Sequence, residues 1–251
     1  MGYNTTDEMQ ASSSAQLYSA LSIPFTGVDG KGISLHDIVF SKAKKGLVSG
    51  QADNIKLWVY QEDLQRYDYL TYFLNNSSKW KCTKAGMGAD FDVDFEDGLP
   101  AGTAFWYFSA KKADAGTCTV SGAVDSDDFV KFTVVRDKYN FFSYPYPVAF
   151  KPWDSKMVNW GEAKNGITSG QADCIKLWVY QEDLNRYDYL TYFYNSSKKW
   201  KCTNSKYSTI DVDFPNGLPV GTGFWYLATK KSGSTEFDVT FYSPLAKTEE
   251  E

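Results

Sequence analysis

The chain has 251 residues, a formal charge of -5 and 17% aromatic side chains, with 18 Tyr, 17 Phe and 8 Trp. An acidic balance excludes nucleic acid as a first reading, because neutralising phosphates needs a basic face, and it disfavours anionic membrane surfaces for the same reason. No apolar run approaches the length of a spanning helix, so no membrane insertion is expected, and the aromatic content favours pleated, half-buried β surfaces.

Residues 1–17 are polar and small and read as a flexible or lightly held N-terminal arm. Tyr18 to Phe25 (YSALSIPF) reads as a strand, broken by the turn-rich TGVDGKG. Ile33 to Gly46 is expected as a short helix, with Ser34 as N-cap and Gly46 as stop. Ser49 to Cys82 reads as a hairpin. Ile55, Leu57 and Val59 alternate with Lys56, Trp58 and Tyr60, QEDLQR makes a polar turn, and Tyr67 to Phe73 returns. For an even-length turn, Trp58 and Tyr60 share a sheet face with Tyr67 and Tyr69; a slip of one residue would set those tyrosines beside the aliphatics. Past KWKCT, DFDVDF is expected as a strand with Phe91, Val93 and Phe95 inward and Asp92 and Asp94 outward. Gly98-Leu99-Pro100 turns the chain, AFWYFSA is another strand, and TCTVSGAV closes the unit near Val124.

The hairpin block then returns at Ser169 to Cys202, altered only at Asn54/Cys174, Gln65/Asn185, Leu74/Tyr194, Asn76/Ser196 and Ser78/Lys198. DVDFEDGLPAGTAFWYFSAKK from Asp92 likewise returns as DVDFPNGLPVGTGFWYLATKK from Asp211. One structural unit is written twice. The expected fold is all-β: two tandem homologous β-sandwich or small-barrel domains arising from internal duplication, residues 18–125 and 126–245, with an acidic tail at 246–251. The connector KPWDSKMVNWGEAKNG has no close match in the first copy, as loops allow.

Of the cysteines, Cys82 and Cys202 are equivalent, whereas Cys118 and Cys174 align with Phe237 and Asn54. Unless the two halves fold differently, equivalent geometry cannot support a bridge in both, so small buried thiols stand beside disulfides as a reading. With His36 the single histidine and no CxxC, a Cys/His zinc site is not expected.

The candidate ligand site is the hairpin face of Trp58, Tyr60, Tyr67 and Tyr69, repeated in Trp178, Tyr180, Tyr187 and Tyr189. A pyranose ring stacks its apolar C–H face on aromatics while its hydroxyls bond amides and carboxylates. Gln61, Glu62, Asp63 and Asp68, with Gln181, Glu182, Asp183 and Asp188, are the expected polar partners. The competing reading makes the same rings one wall of the core, and general burial tendencies favour it. Asp92 and Asp94, with Asp211 and Asp213, are candidate calcium ligands if they share a strand face with Glu96; otherwise they are a solvated outer face. Glu62, Asp63 and Asp68 are the one acid/base grouping. Two near-identical active sites in one chain would be unusual, and neither GxSxG nor a Gly-rich phosphate loop occurs, so no enzyme is expected.

The order of a strand ending in Pro, a polar hairpin, an isolated Trp, LPxGxxFWY and a closing strand near Ser-Gly resembles a repeat of uncharacterised surface or secreted proteins of anaerobic bacteria. The resemblance covers most of both halves and is carried most strongly by GLPAGTAFWY and GLPVGTGFWY. It implies a bacterial, extracellular, non-enzymatic protein and brings no catalytic residues. The composition, rich in Tyr, Ser, Thr, Asn and Gly, also favours an extracellular location, with a cytosolic start as the alternative. The expected function is a non-catalytic extracellular or cell-surface structural or adhesive protein, self-associating through edge strands or the polar arm and partnering itself or other surface proteins. The alternative is a bivalent carbohydrate-binding protein, whose paired sites bind glycans with avidity. Apart from calcium at the candidate aspartates, no cofactor is expected.

Overall fold

The first half forms β1 (Tyr3–Met9), β2 (Leu17–Ser22), β3 (Val39–Phe40), β4 (Asn54–Gln61), β5 (Arg66–Leu74), β6 (Trp80–Cys82), β7 (Ala104–Ser109) and β8 (Gly116–Gly122), with a single helical turn, α1 (Phe91–Asp94), after β6. Apolar and polar residues alternate along β4, whereas β7 (AFWYFS) is apolar almost throughout. The computed structural model describes residues 3–61, 64–84, 90–182 and 184–245. β2-β7-β4-β5-β6 hydrogen-bond in that order into one antiparallel sheet, and β1-β8-β3 into a second. The second half supplies β9 (Phe129–Val135), β10 (Lys138–Phe142), β11 (Val158–Asn159), β12 (Cys174–Gln181), β13 (Arg186–Tyr194), β14 (Trp200–Cys202), α2 (Ile210–Asp213), β15 (Phe224–Ala228) and β16 (Glu236–Tyr242). Its sheets run β10-β15-β12-β13-β14 and β9-β16-β11, the same topology strand for strand. The chain divides into two units, Met1–Asp125 and Ser126–Glu251. Both are all-β, as the repeat predicts.

Parity along the strands decides what each unit buries. In the first, Ile55, Leu57, Leu70, Tyr72, Phe105 and Tyr107 of the larger sheet share one core with Met9, Cys118 and Val120 of the smaller. That is sandwich packing, and each such side chain contributes about 1.5–3 kcal/mol relative to exposure. Gly98 and Gly217 take φ of 70° and 87°, a region glycine enters without steric cost. They deliver Leu99 and Leu218 into the core, bridged to Ile33 and Phe150.

Three local expectations are corrected. The N-terminal arm is a strand: β1 pairs along its length with β8, from Tyr3↔Gly122 to Met9↔Gly116, and buries Met9. It is the counterpart of β9, which pairs with β16. Its inward parity, Thr5, Asp7 and Met9, carries a carboxylate, which disguises the alternation. Ile33 to Gly46 forms a turn and then β3, because Phe40 is needed at the core, stacked on Tyr107 at 5.2 Å and edge-on to Trp80 at 5.3 Å. DFDVDF is not a strand but α1. Phe91 and Phe95, four apart, stack at 4.9 Å, and Val93, expected inward, is 62% exposed. The acidic tail at 246–251 lies outside the described residues.

Candidate functional site

The register Trp58↔Tyr69 and Tyr60↔Tyr67 puts the four hairpin rings on one face, as the even-length turn requires. That face looks away from the core, against the burial tendency that would make it a core wall. Tyr60 is 47% and Tyr69 37% exposed, and Trp58 and Tyr67 are half-buried. The cause is that the smaller sheet covers one side only, and the aliphatic parity of β4 and β5 has taken that side.

The rings interlock. Trp58 meets Tyr69 edge-on at 4.8 Å and stacks with Tyr67 at 6.3 Å, and Tyr60 meets Tyr67 edge-on at 5.4 Å. Neighbouring strands extend the platform: Tyr18 of β2 packs on Phe108 of β7 at 4.5 Å and on Trp106 at 6.0 Å. The Lys56 ammonium lies 5.3 to 5.9 Å from the ring centroids of Phe108, Tyr18 and Tyr69, within cation–π range.

The second unit repeats this geometry. Trp178–Tyr189, Trp178–Tyr187 and Tyr180–Tyr187 are 4.9, 6.4 and 5.2 Å apart. Lys176 Nζ donates to Tyr139 Oη at 2.9 Å, Trp225 stacks on Phe141 at 4.4 Å, and Trp225 Nε1 donates to Tyr189 Oη at 3.2 Å. Burial raises the Tyr189 hydroxyl above its ordinary range.

The expected polar partners are mostly elsewhere. Gln61 and Gln181 point to the core side and are buried, Gln61 accepting from Lys84 Nζ at 2.7 Å. Asp68 and Asp188 also point away from the rings, bonded to Arg66 at 2.8 Å and Arg186 at 2.7 Å. The Tyr69 backbone N–H and Arg66 hold the Asp68 carboxyl below the usual range; Arg186 and the Tyr189 N–H do so for Asp188. Glu182 is an exposed turn residue, while Glu62, Asp63 and Asp183 lie outside the described residues. The polar groups that do share the ring parity are Lys56 and Thr71, which pair across β4 and β5, and Lys176 and Thr191 across β12 and β13. At the platform rim Tyr60 Oη donates to Gln65 Oε1 at 3.3 Å, and Tyr180 Oη donates to Asn185 Oδ1. The signal was present in the alternation itself: Gln61 has the parity of Val59, and Asp68 that of Leu70. Tyr18, Trp106 and Phe108 carry no such signal, because strand order is not written in spacing.

The calcium candidates lose the shared strand face on which they rested. On α1, Asp94 accepts from Tyr72 Oη at 2.8 Å while Asp92 accepts from Ser34 Oγ. In α2, Asp213 accepts from Tyr192 Oη at 2.9 Å, and Asp211 lies on the same turn. One group among the described residues, His36, Asp90 and Asp92, has ligand atoms within 4.8 Å of one another. Its members are already engaged: His36 Nε2 and Asp90 Oδ1 are 2.5 Å apart, and Lys79 Nζ pairs with Asp90 at 2.8 Å. The four cysteines are free thiols, all buried, and burial pushes the Cys174 thiol up to about 11.

No family model, curated protein or solved structure matches this chain.

Proposed function

We propose that the protein is a non-catalytic, bivalent carbohydrate-binding protein of the cell surface or extracellular space, with one ring platform in each unit. The observation that supports this reading is the outward-facing aromatic set, reproduced in both units with centroid distances that differ by no more than 0.2 Å between copies. A sandwich core needs aromatics on one side of a sheet, not on both. A contiguous exposed apolar patch with polar groups along it is characteristic of a binding surface. The C–H face of a pyranose stacks on exposed tyrosine rings, and Lys56, Thr71 and Gln65 supply donors and acceptors for its hydroxyls. The carboxylates of the hairpin strands, Asp68 and Asp188, are turned away and tied to arginines, which supports binding over hydrolysis. An adhesive role follows from having two platforms, which bridge two glycans or grip one repeating chain.

A glycan array with the intact protein tests the reading, followed by the exposed pairs Tyr60→Ala/Tyr180→Ala and Tyr69→Ala/Tyr189→Ala. Tyr60 and Tyr180 are each 47% exposed, so the first variant is expected to keep the native circular dichroism. Tyr189 also accepts from Trp225 Nε1, so the second is compared only after its fold has been checked in the same way. Both are expected to lose about tenfold or more in glycan affinity, the equivalent of some 1.4 kcal/mol. An array with no glycan bound, or undiminished binding by both folded variants, would sink the proposal.

A further inference from the structure

The second unit holds a cleft of 440 Å³ beside β11, β13 and β14, of a size suited to a small ligand. It is a different place from the ring platform. Tyr194 and Trp200 at its wall have the core-side parity of Tyr192, opposite to Trp178 and Tyr189. Its remaining lining comes largely from the connector that the first unit does not share, including Trp153, Asn159, Trp160 and Asn165.

The two units differ in the residues that line this cleft. Within hairpin blocks that are nearly identical, two of the few changes, Leu74/Tyr194 and Ser78/Lys198, fall on its wall. Phe40 stacks on Tyr107 in the first unit where Trp160 stacks on Tyr226 in the second, so a larger ring forms the floor. A charge has also moved. In the first unit Lys45 on the connector donates to Ser78 Oγ at 2.7 Å; in the second the equivalent positions are Asn165 and Lys198. The Lys198 ammonium has no ion-pair or hydrogen-bond partner among the described residues, and none of the lining residues is acidic.

Rings, amides and one unneutralised ammonium with no opposing carboxylate suit a ligand with an apolar face, hydroxyls and a negative charge. We propose that this cleft binds a carboxylate-bearing sugar residue of the uronate type, its ring against Trp153 and Tyr194, its hydroxyls on Asn159 and Asn165, and its carboxylate on Lys198. A charge-assisted bond to the carboxylate then gives the cleft its selectivity over neutral sugars.

The test is saturation-transfer NMR and titration of the intact protein with methyl glucuronide and methyl glucoside at low salt. Methyl glucuronide is expected to bind about tenfold more tightly than the glucoside. Lys198→Ser should erase that preference. Position 198 has a φ of 58° and Ser78 takes 63° at the equivalent turn, so serine is accommodated there. Trp153→Ala should abolish binding of both glycosides at this site, whereas Tyr60→Ala/Tyr180→Ala should leave the glucuronide preference intact. That last variant separates the cleft from the platforms. Absence of glucuronide binding, equal affinity for the two glycosides, or a preference that survives Lys198→Ser would overturn the proposal.

Discussion

Asp53 is fully buried, yet its side chain is heavily hydrogen-bonded. Its carboxylate accepts from the Tyr107 hydroxyl, the Ala110 N–H at 2.7 Å, the Lys44 N–H at 2.9 Å and Lys112 Nζ at 2.6 Å. Asp173 does the same work in the second unit, accepting from Tyr226 Oη at 2.8 Å, Thr229 N–H at 2.7 Å and Lys164 N–H at 3.0 Å. Each ties the strand that follows it, β4 or β12, to the chain beyond β7 or β15. Removing one partner from such a group strands the others without water. Asp53→Ala is therefore expected to cost about 3–5 kcal/mol. The loss should be confined to the first unit, visible as reduced hydrogen-exchange protection of β4, β5 and β7 while β12 and β13 keep theirs. Nothing in SGQADNIKLW announces this role, because the partners other than Lys44 are contributed from distant sequence. By contrast the burial of Ile55, Leu57 and Leu70 was legible, since a period of two needs only neighbours to read it.

Among the elements, β1 carries an internal cost. Asp7 sits on its core-side parity opposite Cys118, and its Oδ2 is buried with no hydrogen-bond partner among the described residues. Burial pushes its carboxyl up to about 6, from an ordinary 3.8. A folded-state pKa above the unfolded one means that the folded state holds the proton more tightly. The stabilisation is complete below pH 3.8 and is lost as the pH rises through about 6. Stability measured by chemical denaturation should therefore fall across that window through this group, and amide protection of residues 3–9, corrected for intrinsic exchange, should fall with it. Asp7→Asn should flatten both profiles; an unchanged pH profile in that variant would refute the assignment. The same carboxylate hid β1 from sequence reasoning, because an inward Asp breaks an alternation that Thr5 and Met9 continue. α1 departs from its strand-like pattern for a related reason. DFDVDF alternates perfectly, but Phe91 and Phe95 are also four apart, and the contact with Tyr72, at 5.3 and 6.1 Å, selects the helical spacing.

At the scale of the molecule, each unit has its own pair of sheets and its own buried aromatics, so each carries what an independent fold needs. Severed at the boundary between Asp125 and Ser126, the halves are expected to fold separately. Each half should keep the single-site affinity of its platform while losing the avidity of the pair, about 10²–10⁴ on a polyvalent glycan surface. Surface plasmon resonance of the halves against the intact chain on one glycan surface checks this; equal affinities would mean that the platforms do not act together. The amino-acid order alone determined the duplication, the β class and the shared face of the four hairpin rings, because repeats, composition and two-residue parity are local properties. Which face the rings turn to solvent was decided only by tertiary structure, since it depends on where a second sheet docks. The same holds for the carboxylate cages, the strand order that adds Tyr18 and Trp106 to the platform, and the cleft around Trp153 and Lys198. Each is made by residues far apart in the chain, and no local pattern carries that information.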